Sequence, residues 1–482
     1  MAAVDLPTTV ASAREGHPRR WWILWVILAV EVIDLLDGTI VNVALPTIQK
    51  SFDASASQLQ WVAGGYALSF ALGLVTSARL GDVFGRRKLF LLGLAGFTIG
   101  SVLCSLAWSP AALIGFRLLQ GLCAAAMIPQ GFGIVRDSFP DDELGKAFGL
   151  MGPVIGGSAV LGPIVGGALV DADLFGTGWR LIFLVNVPLC VAALVGGARL
   201  LPESRLAVRP TIDGLGAAIV SFSMGLLIYP LIEGRELGWP AWTFVMLAAG
   251  AAGLLLFGIL ERRRERKGRS PLVTTTVFAK PGFSAGMATS FVFFTGMMGF
   301  LFTLSLYLQT GNHYNALKAG AAFTPWAAGT AVGALLGASV LAPRFGRVVL
   351  HAGLALMAAG IVAMLVVVEH AEGTDVSLRS LLVPLLLTGT GLGMILSPLF
   401  SFVLAELADE EVGSASGTLN ATQQLAGAAG VALIGTLFFS VVPRDGFGVA
   451  FHACLWVELA VLAACGLLVL LLPKRPRSDE AR

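Results

Sequence analysis

Apolar runs of membrane-spanning length recur along almost the whole chain, each bounded by charges, Pro/Gly turns or both. A bilayer core takes roughly 20 apolar residues per helix. Fourteen segments meet that measure: 21–45, 57–78, 89–108, 111–135, 147–170, 181–201, 212–232, 240–260, 282–309, 320–342, 348–368, 380–404, 415–442 and 451–472. The thinnest divisions are Ser109-Pro110 and the stretch around 310–320. The pattern predicts an all-α polytopic membrane protein with fourteen transmembrane helices and both termini on one side. If that side is the cytoplasm, its stretches hold 25 of the 32 Lys and Arg residues. The opposite side holds six, and Arg117 lies inside a span. That asymmetry follows the positive-inside rule, and one missed helix would scramble it downstream.

Composition agrees. The 482 residues are 56% hydrophobic and 13% charged, whereas soluble chains run nearer a quarter charged. A net charge of +2 offers no bulk field for nucleic acid. Cys104, Cys123, Cys190, Cys454 and Cys465 all sit in apolar runs without a CxxC pair, so neither a metal site nor a disulfide framework is expected. The first 20 residues are polar and carry Arg14, Arg19 and Arg20. The apolar run after them has full length and no small-residue cleavage site, so a retained first helix is expected. No Walker A loop is present, which disfavours an ATP-driven pump. Five histidines, in or near loops and ends, leave little for a membrane-embedded enzyme. No cofactor is expected.

Four stretches carry candidate chemistry. Span one holds Glu31, Asp34 and Asp37, three residues apart and so on adjacent turns of one flank. Desolvated, crowded carboxylates hold protons more tightly than exposed ones, which suits proton carriage. Structural bonding of Asp37 and a basic partner for Glu31 are the alternatives. Asn42, further along the span, can bond a neighbouring helix. Span four holds Arg117 and Gln120, on one face at i and i+3. An arginine inside a span either tunes a nearby carboxylate or snorkels to an interface. The loop 78–88 contains Asp82, Gly85 and Arg86, where Gly85 permits a tight reversal and Asp82 can pair with Arg86 as a latch between helices. Its Phe84-Gly85-Arg86 recurs as Phe345-Gly346-Arg347 after span ten, a faint internal repeat of the kind from which many secondary transporters are built. Span five runs Gly152-Pro153 to Gly166-Gly167 and includes Gly157, Gly162 and Pro163, giving a smooth face and a bend. Trp61, Tyr66, Gln120, Phe294, Trp326, Asn420 and Gln424 are candidates to line a substrate cavity, since aromatic and polar groups on membrane helices serve such cavities, with lipid-facing and packing roles the alternative for the aromatic cluster of spans nine and ten that includes Phe294 and Trp326. Glu458 in span fourteen is a further acid, either functional or part of a structural pair. Arg262 to Lys267 either anchors topology or meets anionic lipid.

Together these stretches resemble the major facilitator superfamily, specifically its fourteen-helix drug:proton antiporter family. Residues 78–88 are similar to that superfamily's motif A, with Ala78 and Val83 departing from it. Residues 113–121 are similar to motif B, whose arginine is implicated in proton transfer, and 152–167 to motif C, associated with antiport. Residues 36–46, and Trp179-Arg180 with Phe183, Asn186 and Pro188, resemble the marks of the fourteen-helix branch. The resemblance implies a cytoplasmic N-tail (1–20), an N-terminal six-helix bundle (21–205), a two-helix insert with a basic cytoplasmic loop (206–270), a C-terminal six-helix bundle (271–473) and a cytoplasmic C-tail (474–482). It further implies proton-coupled export of drugs, antibiotics or other lipophilic small molecules by alternating access. The setting would be the bacterial cytoplasmic membrane, with protons, substrate and membrane lipids as partners and a monomer as the working unit. The absence of mid-span acids in spans nine to thirteen weakens a preference for dicationic dyes. A dedicated metabolite or siderophore transporter on the same fold remains the alternative.

Overall fold

The computed structural model describes residues 16–203, 213–234, 237–267, 275–370, 376–404, 407 and 409–474; at some helical positions, Asp82 among them, the side chain lies outside that description. The tails beyond these limits and the segments 204–212 and 268–274 lie outside it as well. Every element among the described residues is helical. The first half of the chain contributes α1 (Arg20–Phe52), α2 (Ala56–Phe84), α3 (Arg86–Ser105), α4 (Pro110–Ser138), α5 (Asp141–Ala172), the short α6 (Leu181–Leu184) and α7 (Asn186–Leu200). Next come α8 (Gly214–Glu233) and α9 (Ala241–Arg266). The second half contributes α10 (Pro281–Leu306), α11 (Ala316–Ala322), α12 (Thr324–Leu336), the short α13 (Ala342–Phe345), α14 (Val348–His370), α15 (Leu382–Leu404) and α16 (Asp409–Val469). α16 is two helices joined across a kink at Gly446, whose φ of 83° suits glycine. Among the described residues, ten helical segments are long and apolar enough to cross a membrane.

Helix ends follow local chemistry. Ser55 caps α2 by accepting the Gln58 N–H while the Gln58 side chain returns the bond, a complete capping box. Ser109 caps α4, with Pro110 in its first turn. Gly85 and Gly346 both close a helix with positive φ, at 105° and 57°, and each N–H donates to the carbonyl four residues back. The recurring Phe-Gly-Arg thus ends a helix at a positive-φ glycine in both places, although ψ differs, at 127° for Gly85 and −138° for Gly346. Gly85→Ala puts a Cβ where L-residues are strained, at a cost of about 1–3 kcal/mol. Thermal unfolding in detergent should record that loss, and an unchanged midpoint would contradict it.

Prolines inside the helices create contacts as well as bends. Pro46 has no N–H for the Asn42 carbonyl. That carbonyl instead accepts the Ser305 hydroxyl of α10 at 2.8 Å. Pro129 likewise releases the Ala125 carbonyl, which accepts the Ser77 hydroxyl of α2. Gln130 then donates to the Ser77 carbonyl at 2.8 Å. The helix partner expected for the Asn42 side chain is thus met by its backbone, while the side chain itself donates to Thr39 O on its own helix.

Packing is densest within each half: α2 and α3 on α4, α1 on α5, then α10 on α16, and α12 and α14 on α15. α8 and α9 pack on each other, with α8 also touching α2 and α16. The two halves meet along α2 with α16, and along α5 with α11 and α12. One end of the molecule is basic and tied by Arg20–Glu143, Arg86–Asp137 and Arg264–Asp213. Arg87 also donates there to the Ala198 carbonyl, and Arg347 to those of Leu470 and Leu472.

Candidate functional site

The most heavily bonded buried cluster forms where α1, α4 and α7 meet. Asp37, Arg117 and Gln120 are fully buried. Arg117 Nη1 makes an ion pair with Asp37 Oδ2. Gln120 Nε2 donates to Asp37 Oδ1 at 3.0 Å, and Asn186 Nδ2 donates to the same oxygen at 2.7 Å. Gln120 also accepts from Arg117 at 2.7 Å and donates to Ser101 Oγ at 2.9 Å. The helical spacing of Arg117 and Gln120 places both on the α4 flank that faces α1. Asn186 is supplied by the first turn of α7.

A second acid lies beside this one. Tyr66 of α2 donates its hydroxyl to Asp34 Oδ1, while its ring carries the Arg117 guanidinium 4.3 Å above it. Phe183 flanks the same guanidinium at 5.7 Å. Asp34, Tyr66, Arg117 and Asp37 thus form one continuous chain of contacts, with Glu31 buried one turn along α1 toward the basic end. Arg117 Nε and Nη2 have no hydrogen-bond partner among the described residues. The guanidinium therefore has donors to spare should its carboxylate partner become neutral. A buried carboxylate that loses its charge by taking a proton also loses its hold on the arginine, so protonation and helix contact are linked here.

Other expected site residues lie elsewhere. Gln120 and Tyr66 belong to the acid cluster. Trp61 donates its indole N–H to Glu233 at the end of α8, at 2.9 Å, tying α2 to that helix pair. Phe294 and Trp326 are core residues of the second half. Asn420 and Gln424 are half-buried on α16. Arg86 pairs with Asp137 at 2.9 Å; the Asp82 side chain lies outside the described residues. In α5, Gly167 faces the Ala316 backbone and Pro163 O faces Gly320 of α11, while Gly162 and Gly166 face Thr39 and Ile40 of α1. Gly157 lies one and a half turns earlier on the same helix. Glu458 is buried against Gly296 of α10, and its Oε2 has no hydrogen-bond partner among the described residues.

A cavity of about 990 Å³ lies toward the basic end, between the α8–α9 pair and the body formed by α2, α10 and α16. Its walls are mainly apolar, with Val220, Met224, Leu254, Phe257, Met287 and Leu425 among them. None of the sequence-expected cavity residues lines it. Asn186, Ser101 and the bond between Tyr66 and Asp34 were also not legible as site features, although Asn186 stands in a quoted motif.

Family membership follows from this fold and from the sequence. The family model of the Major Facilitator Superfamily matches residues 27–431, and the chain belongs to that family. It is a multi-pass membrane transporter and not an enzyme. It is 46% identical over 437 residues to a probable actinorhodin transporter of Streptomyces coelicolor, covering 90% of this chain and 75% of the relative. It is 33% identical to a tetracenomycin C resistance and export protein of Streptomyces glaucescens, covering 90% and 78%. Its fold is that of a solved auto-inhibited POT family peptide transporter, with TM-score 0.70 at 13% identity over 96% of this chain and 99% of the other.

Proposed function

We propose that this protein is a proton-coupled antiporter that exports antibiotics or other lipophilic small molecules across the bacterial cytoplasmic membrane. The observation that carries the reading is the buried Asp37–Arg117 pair, bonded by Gln120 and Asn186 and joined through Tyr66 to a second carboxylate. Structural pairing alone would not require two acids on one arginine-centred chain of contacts. In this reading Asp37 loads a proton from outside and releases it inside, and Arg117 re-forms the ion pair when the proton leaves. Similarity to relatives named for actinorhodin and tetracenomycin C supports an antibiotic-like cargo. The same similarity favours, as a second reading, an exporter dedicated to one secondary metabolite.

The architecture proposed is fourteen spans in two six-helix bundles, with α8 and α9 as an insert and both termini cytoplasmic. Support comes from the basic end, which would then face the cytoplasm. Three hydrogen-bonded contacts between the halves lie toward the opposite end, while apolar packing of α2 on α16 continues past it to Ala421 beside Phe70 and Leu74. Asn315 donates to Asp171 at 2.6 Å, Gln60 to the carbonyls of Val431 and Ala432, and Ser305 to that of Asn42. In this reading the conformation is closed outside, and the Asp82–Gly85–Arg86 turn is a latch that forms and breaks at the inner face.

Purified protein in proteoliposomes should move substrate only while a pH gradient is imposed. Equal rates after an ionophore collapses the gradient would overturn the coupling. Topology is tested separately in a cysteine-free background. A cysteine at Thr177 should react with an impermeant maleimide added to intact cells, and one at Lys267 should not; the reverse pattern inverts the assignment.

A further inference from the structure

Two arginines of the basic segment at the end of α9, Arg262 and Arg266, border the cavity. Arg264 is committed to Asp213. Glu265 accepts both the N–H and the hydroxyl of Thr275, so this acid of the cavity wall is engaged by the protein itself, and Glu261 of the same wall is buried. Arg262 and Arg266 are exposed and have no ion pair among the described residues. They are four residues apart and so share one flank of the helix. That flank is the one that borders the 990 Å³ cavity. Below them the walls turn apolar, through Phe257 and Leu254 of α9, Met224 and Val220 of α8 and Leu425 of α16. Gly258 opens the α9 wall, and a Cβ placed there meets nothing within 4 Å.

We infer that this cavity is a binding site for one anionic phospholipid of the cytoplasmic leaflet. Its phosphate lies between Arg262 and Arg266 and an acyl chain lies in the slot between α8–α9 and the transporter body. Charge complementarity selects the occupant. Two adjacent guanidinium groups fit phosphate oxygens in the paired geometry that arginine favours. An apolar slot running from that charge toward the membrane interior matches a lipid, and not a free anion, which has nothing to place there. α9 is the least buried of the candidate spans among the described residues, with 11% of its apolar window buried. A lipid wedged behind it would therefore hold the α8–α9 pair against the body from the membrane side. The leaflet assignment rests on the proposed topology; the binding site does not.

The test uses the full chain purified in mild detergent. Lipid retained after delipidation and re-addition is read by native mass spectrometry, with phosphatidylglycerol, phosphatidylcholine and inorganic phosphate as probes. One phosphatidylglycerol should be retained per protein, in preference to phosphatidylcholine, and inorganic phosphate should not displace it. The Arg262→Ala/Arg266→Ala variant should bind it roughly 30-fold more weakly, from the attraction of two basic side chains to an anionic surface. Gly258→Phe, which fills the slot and leaves both arginines, should also lose it. Retention unchanged in both variants, equal retention of phosphatidylcholine, or displacement by inorganic phosphate would overturn the site. Because transport is not read, failure of the proton-coupling reading leaves this result intact. The Lys267 labelling pattern reports separately on the leaflet.

Discussion

Asp37→Asn is expected to abolish gradient-driven efflux while the protein still reaches the membrane. The substitution keeps the shape of the side chain and one oxygen for Gln120 and Asn186, but leaves the Arg117 guanidinium buried without its counter-charge. Removing one partner of a buried ion pair costs about 3–5 kcal/mol. Some of the loss will therefore appear as reduced thermal stability, which alone would not prove coupling. A second variant separates the two effects. Asp37→Asn combined with Arg117→Gln removes both charges, so much of the stability should return, while a carrier with no titratable group at this position still cannot use the gradient. Transport in proteoliposomes under an imposed pH gradient and unfolding in detergent are measured for the same preparations. Glu31→Gln and Asp34→Asn should be milder, because the Arg117–Asp37 pair survives in both. Coupled efflux that survives in Asp37→Asn and fails in Asp34→Asn would transfer the role across Tyr66 to Asp34. Survival in all three single variants would move the proton site away from α1, with Glu458 the next group to test.

The second large effect concerns the seam between α5 and α11. A Cβ at Gly167 would lie 2.9 Å from the Ala316 carbonyl carbon, and one at Gly320 would lie 3.1 Å from that of Pro163. Both obstacles are backbone, so neither helix can yield by rotating a side chain. Gly167→Val and Gly320→Val should each cost the closed outer seam about 1–3 kcal/mol. That is enough to shift a two-conformer equilibrium roughly 5- to 150-fold. Spin labels at Thr177 and Lys318 should then report longer distances, and transport should fall while the protein stays folded. Gly225→Ala is the control, since nothing lies within 4 Å of its added Cβ. A wild-type distance distribution and wild-type transport in both valine variants would remove the seam from the transport cycle.

Much of this protein is legible in one dimension because its solvent punishes local errors locally. An apolar run must be long enough to cross the bilayer wherever its neighbours lie, so the helices and the basic loops were readable from the chain alone. The acids of α1 and Arg117 were readable as candidates for the same reason, since a charge in a span is costly before any partner is known. Even the pairing of Gln120 with Arg117 follows from helical spacing. The tertiary structure decided which faces meet. That Asn186 completes the Asp37 cluster, and that Tyr66 joins Asp34 to Arg117, depends on how far α2 and α7 rotate about their axes, which no local periodicity records. The same holds for the carbonyls freed by Pro46 and Pro129. The sequence announces that each loses its helical donor, but only packing supplies Ser305 and Ser77 in its place. The cavity beside α9 lies furthest from the sequence, because it is a space between helices drawn from distant parts of the chain, and its shape is set by the distance they keep.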